Sequence, residues 1–206
     1  MKKISLAQLL DIKYPIIMAP MFLVTNTKMM IEGMNSGIAA CIPALNYRSD
    51  ELLRAAIQEI RSNTTSKGLG VNLIVNKSNV KMQQQLKTCI EFEVDFIITS
   101  LGSPKKVIEQ CKSKGIKVLC DVVEEEYAVK VEQLGADAII AVNCNAGGHA
   151  GKLTPEEIIP LLNKHCTIPI ISAGGVGTKD GINKIMDLGA AGLSIGSPFI
   201  ACKEAD

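Results

Sequence analysis

Aromatic side chains and an excess of either charge are what this sequence most lacks. Among its 206 residues there is no tryptophan, phenylalanine and tyrosine together make up 3%, and the formal net charge is +1. Proteins that bind single-stranded nucleic acid stack bases on aromatic rings beside basic side chains, and polybasic surfaces attract membranes. The composition therefore argues against a nucleic-acid partner and against a membrane-surface partner.

Long apolar runs are missing as well. No stretch reaches the roughly 18 consecutive apolar residues that a membrane-spanning helix needs. The N-terminal stretch MKKISLAQLLDIKYP begins as a signal peptide does, but it lacks a continuous apolar segment and a small-residue cleavage site. We therefore expect neither a membrane span nor a secretory leader.

Cysteine is present, but without a pairing motif. The seven cysteines are odd in number, and no Cys-x-x-Cys occurs among them. This usage favours reduced thiols in the cytoplasm over a disulfide scaffold or a zinc site. We expect a cytoplasmic protein with no bound metal.

What the chain does contain is an alternation of apolar runs and helical patterns. Isoleucine, valine, leucine and alanine carry most of the 47% hydrophobic content, as buried parallel strands require. Eight βα units with short connections favour a closed parallel barrel over an open sheet. We expect an α/β fold with a single barrel domain over residues 1–206. The predicted strands are 16–21, 37–42, 68–73, 95–99, 117–121, 138–142, 168–172 and 191–195.

The C-terminal part of this barrel is short. Only residues 197–206 follow the last predicted strand and its glycine, whereas barrels of this type usually have about 200 residues or more. The sequence therefore predicts a short or truncated C-terminal helix. It leaves open whether the barrel is minimal or lacks its C-terminal part.

Local signals predict several helix ends. Ser103 before Pro104 is typical of an N-cap followed by proline at the first helical position. Thr154-Pro-Glu-Glu157 is a capping box, and Gly189 is predicted to close the helix before it. One apolar helix face is predicted from the spacing of Leu52, Leu53, Ala56, Ile57 and Ile60.

Parallel barrels carry their active sites at the C-terminal ends of the strands. Small and amide-bearing residues dominate those positions here, and Asp121 is the only clear acid among them. Glycine-rich Ser172–Gly177 and Ser194–Pro198 follow strands seven and eight, where backbone N–H groups and helix N-termini bind phosphate in barrels. Tight turns alone would also explain the glycines, but their occurrence at both positions favours phosphate binding.

Six short motifs occur in order along almost the whole chain. They are Pro15–Met21, Gly70–Leu73, Ser100–Pro104, Ala146–Gly151, Ala173–Val176 and Gly196–Phe199. In this order they resemble the motifs of the nitronate monooxygenase family, formerly called 2-nitropropane dioxygenases, and of the related flavin-dependent enoyl-ACP reductases. Each motif alone is weak, whereas six in the same order are specific.

The resemblance implies a TIM barrel that binds FMN. His149 matches the family's active-site histidine, and a ring that titrates near neutral pH can stabilise an anion or shuttle a proton. Without the resemblance, a loop histidine bonded to backbone would be the simpler interpretation. The implied cofactor residues are Ala19, Pro20 and Met21 along the flavin ring, Asn72 as a hydrogen-bonding side chain, Gly147 in the histidine loop, Gly175, Gly196 and Ser197 at the phosphate with Gly174 beside them, and Asn143 near a position that is often glutamine.

The activity implied by the resemblance is FMN-dependent oxidation of alkyl nitronates with O2. Flavin carries the redox step in such enzymes, while protein groups position and tune it. An NAD(P)H-dependent reductase of enoyl thioesters is the alternative, because Asn145 and Ala150 stand where many nitronate enzymes have glutamate and arginine. A flavin-free phosphate-binding barrel enzyme and an inactive truncated homologue are less favoured. The partner is expected to be a small molecule, and a homodimer is left open.

Overall fold

Eight short parallel strands form one closed barrel. The computed structural model describes residues 3–205. The strands are β1 Ile16–Met18, β2 Ala39–Pro43, β3 Leu69–Ile74, β4 Phe96–Ser100, β5 Lys117–Val122, β6 Ala138–Val142, β7 Ile170–Ala173 and β8 Gly192–Ile195. Each strand pairs with its neighbours in chain order, and β8 closes on β1 with Ile17 beside Ser194. The predicted α/β barrel is confirmed.

Helices follow the strands and cover the outside of the barrel, except α1, which precedes β1. They are α1 Leu6–Leu10, α2 Thr27–Asn35, α3 Asp50–Asn63, α4 Met82–Glu91, α5 Lys105–Lys112, α6 Glu125–Gln133, α7 Pro155–His165, α8 Lys179–Asp187 and α9 Ser197–Ile200. The last of these, α9, is a single turn after β8, as the short chain beyond β8 predicted. Within residues 3–205, none of the helices has both the length and the hydropathy needed to cross a bilayer.

Side chains along each strand point alternately into the barrel and out toward the helices, and this alternation creates two separate apolar cores. Outward residues such as Ile97 and Ile139 pack between the barrel and its helices, and inward residues such as Phe96 fill the barrel. Gly70 on β3 makes room for that ring, because a Cβ atom at Gly70 would lie 2.2 Å from the Phe96 side chain. The barrel interior is therefore a packed core and not a channel.

A helix that the sequence analysis did not predict closes the bottom of the barrel. The Ser5 side chain accepts the Gln8 N–H at 3.2 Å, and Gln8 Oε1 accepts the Ser5 N–H at 2.9 Å, which forms a capping box at the start of α1. Leu6 and Leu10 are buried with the inward-facing residues. The Leu6 N–H also donates to the carbonyl of Ala191 at 2.9 Å, just before β8.

Two local predictions are wrong. Ser103 is not the N-cap of α5, because the first backbone bond of that helix runs from the Ile108 N–H to the Pro104 carbonyl at 3.0 Å. Leu52 does not lie on the buried face of α3 but is 52% exposed, whereas Leu53, one helical position further round, is 1% exposed. Adjacent helix positions point about 100° apart, and here Leu53 faces the barrel while Leu52 points to solvent.

The other helix-end signals are confirmed. Glu157 Oε2 accepts the Thr154 N–H at 2.8 Å at the start of α7, which continues through Pro160. Gly189 follows α8 with φ +93°, the left-handed conformation that ends helices.

Candidate active site

The mouth of the barrel, meaning the C-terminal ends of the strands and the loops after them, carries a line of hydrogen-bonded side chains. Asn72 at the end of β3 donates from Nδ2 to Ser100 Oγ at 2.8 Å, and Ser100 Oγ donates to Asp121 Oδ2 at 2.5 Å. Ser100 and Asp121 point inward, because Ile98 and Leu119, two residues before them, lie in the barrel interior. Asn72 points inward as well, because its neighbours Val71 and Leu73 belong to the outer core. We call Asn72, Ser100 and Asp121 the polar chain.

Asp121 is a partly buried acid. Burial raises the pKa of its carboxyl from 3.8 to about 6, although the hydrogen bond from Ser100 acts in the opposite direction. No Lys, Arg or His side chain of residues 3–205 contributes to that pKa. The protonation of this carboxyl therefore changes close to neutral pH.

Asn143 holds the loops after β6 and β7 together. Its side chain is fully buried; its Nδ2 donates to the Gly174 carbonyl at 3.1 Å and its Oδ1 accepts the Asn145 N–H at 2.9 Å. A Cβ atom at Gly174, where φ is +116°, would lie 2.5 Å from the backbone nitrogen of Ala146. Glycine is required there for both conformation and space, so the two loops approach as one surface.

The loops after β7, β8 and β1 also meet. A Cβ atom at Gly177 would lie 3.4 Å from Pro198, and one at Gly196 would lie 3.6 Å from the Met21 side chain and 3.7 Å from Ala19 Cβ. We call Gly174–Gly177 and Gly196, with the residues they contact, the glycine seam. Two further predicted site residues adjoin it: Pro20, next to Met21, and Ser197, which is exposed at the start of α9.

Three consecutive backbone donors in the glycine seam are unpaired. The N–H groups of Gly175, Val176 and Gly177 donate no hydrogen bond to any other residue in the range 3–205. Gly175 has φ +74°, and successive N–H groups beside a left-handed residue form a concave site for anions. The seam can therefore hold an anionic group without a basic side chain.

His149 lies in the exposed part of the loop after β6. Its ring takes part in none of the hydrogen bonds or ion pairs found among residues 3–205, so the fold itself does not use it. Open space surrounds Gly147 and Gly148, since a Cβ atom at either would meet nothing within 4 Å. No hydrogen bond joins the His149 ring to the backbone of residues 3–205, and the side chain is exposed in the loop.

Large apolar side chains surround the mouth. Leu23 and Leu101 are 71% and 44% exposed, and both have φ +59°, a region that leucine rarely adopts and that costs about 1 kcal/mol or more. Asn46 Oδ1 accepts the Leu23 N–H at 2.9 Å and holds that loop in place. Further exposed apolar residues in these loops are Phe22, Leu45 and Val123.

The structure thus brings the predicted site residues into two groups. Most belong to or adjoin the glycine seam, whereas Asn72 lies across the mouth in the polar chain. The sequence analysis did not assign Ser100 to the site and left Asp121 unassigned. Period-two alternation along β4 and β5 is the signal that places both side chains inside the barrel.

Comparison with known proteins identifies the family of this arrangement. Residues 77–206 match the family model described as nitronate monooxygenase. A curated probable nitronate monooxygenase of Staphylococcus haemolyticus is 29% identical over 98% of this chain and 68% of its own length.

Solved structures agree with the fold. FabK from Thermotoga maritima superposes with a TM-score of 0.91 at 32% identity, covering 98% of this chain and 63% of that one. Nitroalkane oxidase from Streptomyces ansochromogenes superposes with a TM-score of 0.88 at 20% identity, covering 97% of this chain and 69% of that one, which supports the fold alone. The chain thus spans about two thirds of the proteins it resembles.

Proposed function

Because the chain belongs to the nitronate monooxygenase family, we propose that it oxidises alkyl nitronates with O2 at the mouth of its barrel. The chain is a flavin-dependent oxidoreductase, and FMN is the cofactor of the family and of its enoyl-ACP reductase relatives. Which substrate it oxidises or reduces is the subject of the proposal.

The residues present fit FMN. The unpaired N–H groups of Gly175, Val176 and Gly177 are donors suited to a phosphate. Asn72 uses its Nδ2 within the protein, but its Oδ1 accepts no hydrogen bond from residues 3–205 and can accept one from a ring N–H. Ala19 and Gly196, 3.7 Å apart at the Cβ position, offer a small-residue surface to a planar ring. The glycine seam with its unpaired donors is the observation that carries the proposal.

Each part of the site has a separate task. The bound flavin would supply the two-electron redox chemistry. Asn143 positions the histidine loop against Gly174 and so acts through the backbone. His149, free of partners within the described chain, would bind the anionic nitronate or hold its proton. The apolar side chains around the mouth would exclude water from the reacting groups.

A second candidate is NAD(P)H-dependent reduction of enoyl thioesters. The exposed apolar residues Phe22, Leu23 and Leu101 favour it, because they offer a surface to a chain longer than a small nitronate. The 32% identity to FabK supports the same alternative.

Absorbance spectroscopy followed by anaerobic reduction tests both candidates. Purified protein mixed with FMN should retain flavin bands after desalting. Propyl nitronate should bleach those bands without oxygen, whereas NADH and NADPH should not. Bleaching by NADH or NADPH alone, followed by recovery with crotonyl thioester, would establish the second candidate. A protein that retains no flavin even after FMN is added would refute both.

We further propose that the enzyme works in the cytoplasm as a single-domain barrel, with a homodimer as the assembly to test. All seven cysteines are free, as a reducing compartment permits. Size-exclusion chromatography with light scattering decides between monomer and dimer.

A further inference from the structure

The polar chain contains a carboxyl group that the proposed function does not use. Asp121 differs from Asp95 and Asp137 in having no basic partner within the described part of the chain, residues 3–205. Asp95 lies 3.2 Å from Arg61 and Asp137 lies 3.4 Å from Lys117, both at the opposite end of the barrel. Among residues 3–205, Asp121 accepts a hydrogen bond only from the Ser100 hydroxyl, at 2.5 Å.

Its surroundings leave the charge of this carboxyl uncompensated. The titratable side chains that interact with it are two thiols, Cys41 on β2 and Cys120 on β5. Burial raises the pKa of Cys41 well above its usual range and that of Cys120 to about 12, so both thiols remain neutral. On β4, the uncharged Ser100 hydroxyl faces the Asp121 carboxyl. On β6, the residue paired with Asp121 is the apolar Ile140. A change in the protonation of Asp121 is therefore a change in the net charge at the base of the mouth.

Asn72 and Ser100 fix where that charge lies. Asn72 Nδ2 is shared between the Ile98 carbonyl at 3.2 Å and Ser100 Oγ at 2.8 Å. The hydroxyl proton of Ser100 is consequently directed to Asp121 Oδ2, and Oδ1 is left for a ligand. The same side chain of Asn72 keeps its own Oδ1 unpaired, so two ligand-facing oxygens lie on one hydrogen-bonded chain.

We propose that Asp121 is a proton-exchanging residue of the site, held by Ser100, which donates a hydrogen bond to the bound ligand when protonated and places a negative charge beside it when ionised. The inference rests on the proposed flavin site. Adding electrons to a group beside a carboxylate costs more than adding them beside a neutral acid. The reduction potential of bound FMN should therefore fall additionally with rising pH as Asp121 ionises, close to pH 6.

Four proteins test this: the wild type, Asp121→Asn, Ser100→Ala and Glu126→Gln. Glu126 is an exposed acid in the first turn of α6, so its replacement removes one charge near the same loop without touching the polar chain. Each is labelled with 13C at the aspartate carboxyls and titrated by NMR. One resonance should titrate near pH 6 in the wild type, vanish in Asp121→Asn, and move to higher pH in Ser100→Ala, which loses the bond that favours the ionised form.

The FMN-loaded proteins are then reduced at several pH values. The wild type and Glu126→Gln should show a break in the potential at the pH of the Asp121 titration. Asp121→Asn should lack the break, and Ser100→Ala should show it at higher pH. If Asp121→Asn binds FMN and keeps the wild-type dependence of the potential on pH, the inference about Asp121 is overturned while the proposed function stands. The same holds if the break in the potential of Ser100→Ala occurs at the wild-type pH. Failure of the wild type to take up FMN overturns the proposed function instead.

Discussion

Replacing Asp121 with asparagine should stabilise the folded protein at neutral and alkaline pH. Burial raises the pKa of this carboxyl from 3.8 to about 6, so the folded state holds the proton more tightly than the unfolded chain does. The bound proton therefore contributes to the free energy of unfolding. This contribution is fully present below the pKa that Asp121 has in the unfolded chain, and it is lost as pH rises through the pKa that Asp121 has in the folded protein. Above that point the native protein carries a partly buried carboxylate that the variant does not carry.

The magnitude follows from the difference between the two pKa values. The shift is about two units, each worth about 1.4 kcal/mol, which gives an upper limit of about 3 kcal/mol. Urea unfolding of both proteins at pH 4 and pH 8 measures it: the free energy of unfolding of Asp121→Asn, relative to the wild type, should rise by about 1 to 3 kcal/mol between those pH values. Asp50 and Glu91, whose pKa values are lowered, are present in both proteins and cancel in the comparison.

Asp187→Asn is the matched control, because Asp187 is exposed at the end of α8. Its stability relative to the wild type should change less between pH 4 and pH 8 than that of Asp121→Asn does. The reasoning is refuted if Asp121→Asn differs from the wild type by the same amount at both pH values, or if its relative stability falls as pH rises.

Three further substitutions test the fold and the site. Gly70→Ala should lower the free energy of unfolding by about 1 to 3 kcal/mol in urea titrations, because the added methyl would lie 2.2 Å from the Phe96 ring; wild-type stability would show that the ring moves aside. Gly174→Ala should weaken FMN binding at least about tenfold in fluorescence titrations. Alanine is strained at φ +116°, and its methyl group would collide with the histidine loop. Unchanged FMN affinity would argue against the glycine seam as the phosphate site. His149→Ala should keep its FMN affinity and thermal stability but turn over about 100-fold or more slowly. Lys152→Ala, an exposed change on the same loop, should keep the wild-type turnover rate. An equal loss of turnover in both variants would exclude a specific role for His149.

The sequence predicted the existence and order of the strands better than their ends. Ala138–Val142 is the same in prediction and structure, because a turn precedes it and a polar loop follows. The first strand was expected over 16–21 but ends at Met18, since Pro20 cannot donate to a ladder and the chain leaves the sheet there. Local apolar patterns identify an element, whereas its length depends on what it pairs with.

The polar chain could not be predicted as a unit. Asn72, Ser100 and Asp121 come from three different strands, and their contacts depend on the register that pairs Asn72 with Ile98. A one-residue slip would turn each side chain to the opposite face. The glycine motifs, in contrast, were visible because each lies within a single continuous stretch of sequence.

The closure of the barrel by α1 has a consequence for the order of folding on the ribosome. The segment with α1 and β1 is synthesised well before its partners Ala191 and Leu193, which lie around the start of β8. Until β8 emerges, Leu6 and Leu10 lack part of their burial and β1 has an open edge. Such distant pairing is slow to form and leaves apolar surface exposed in the meantime. Nascent chains halted before β8 should therefore bind chaperones more than the closed barrel does.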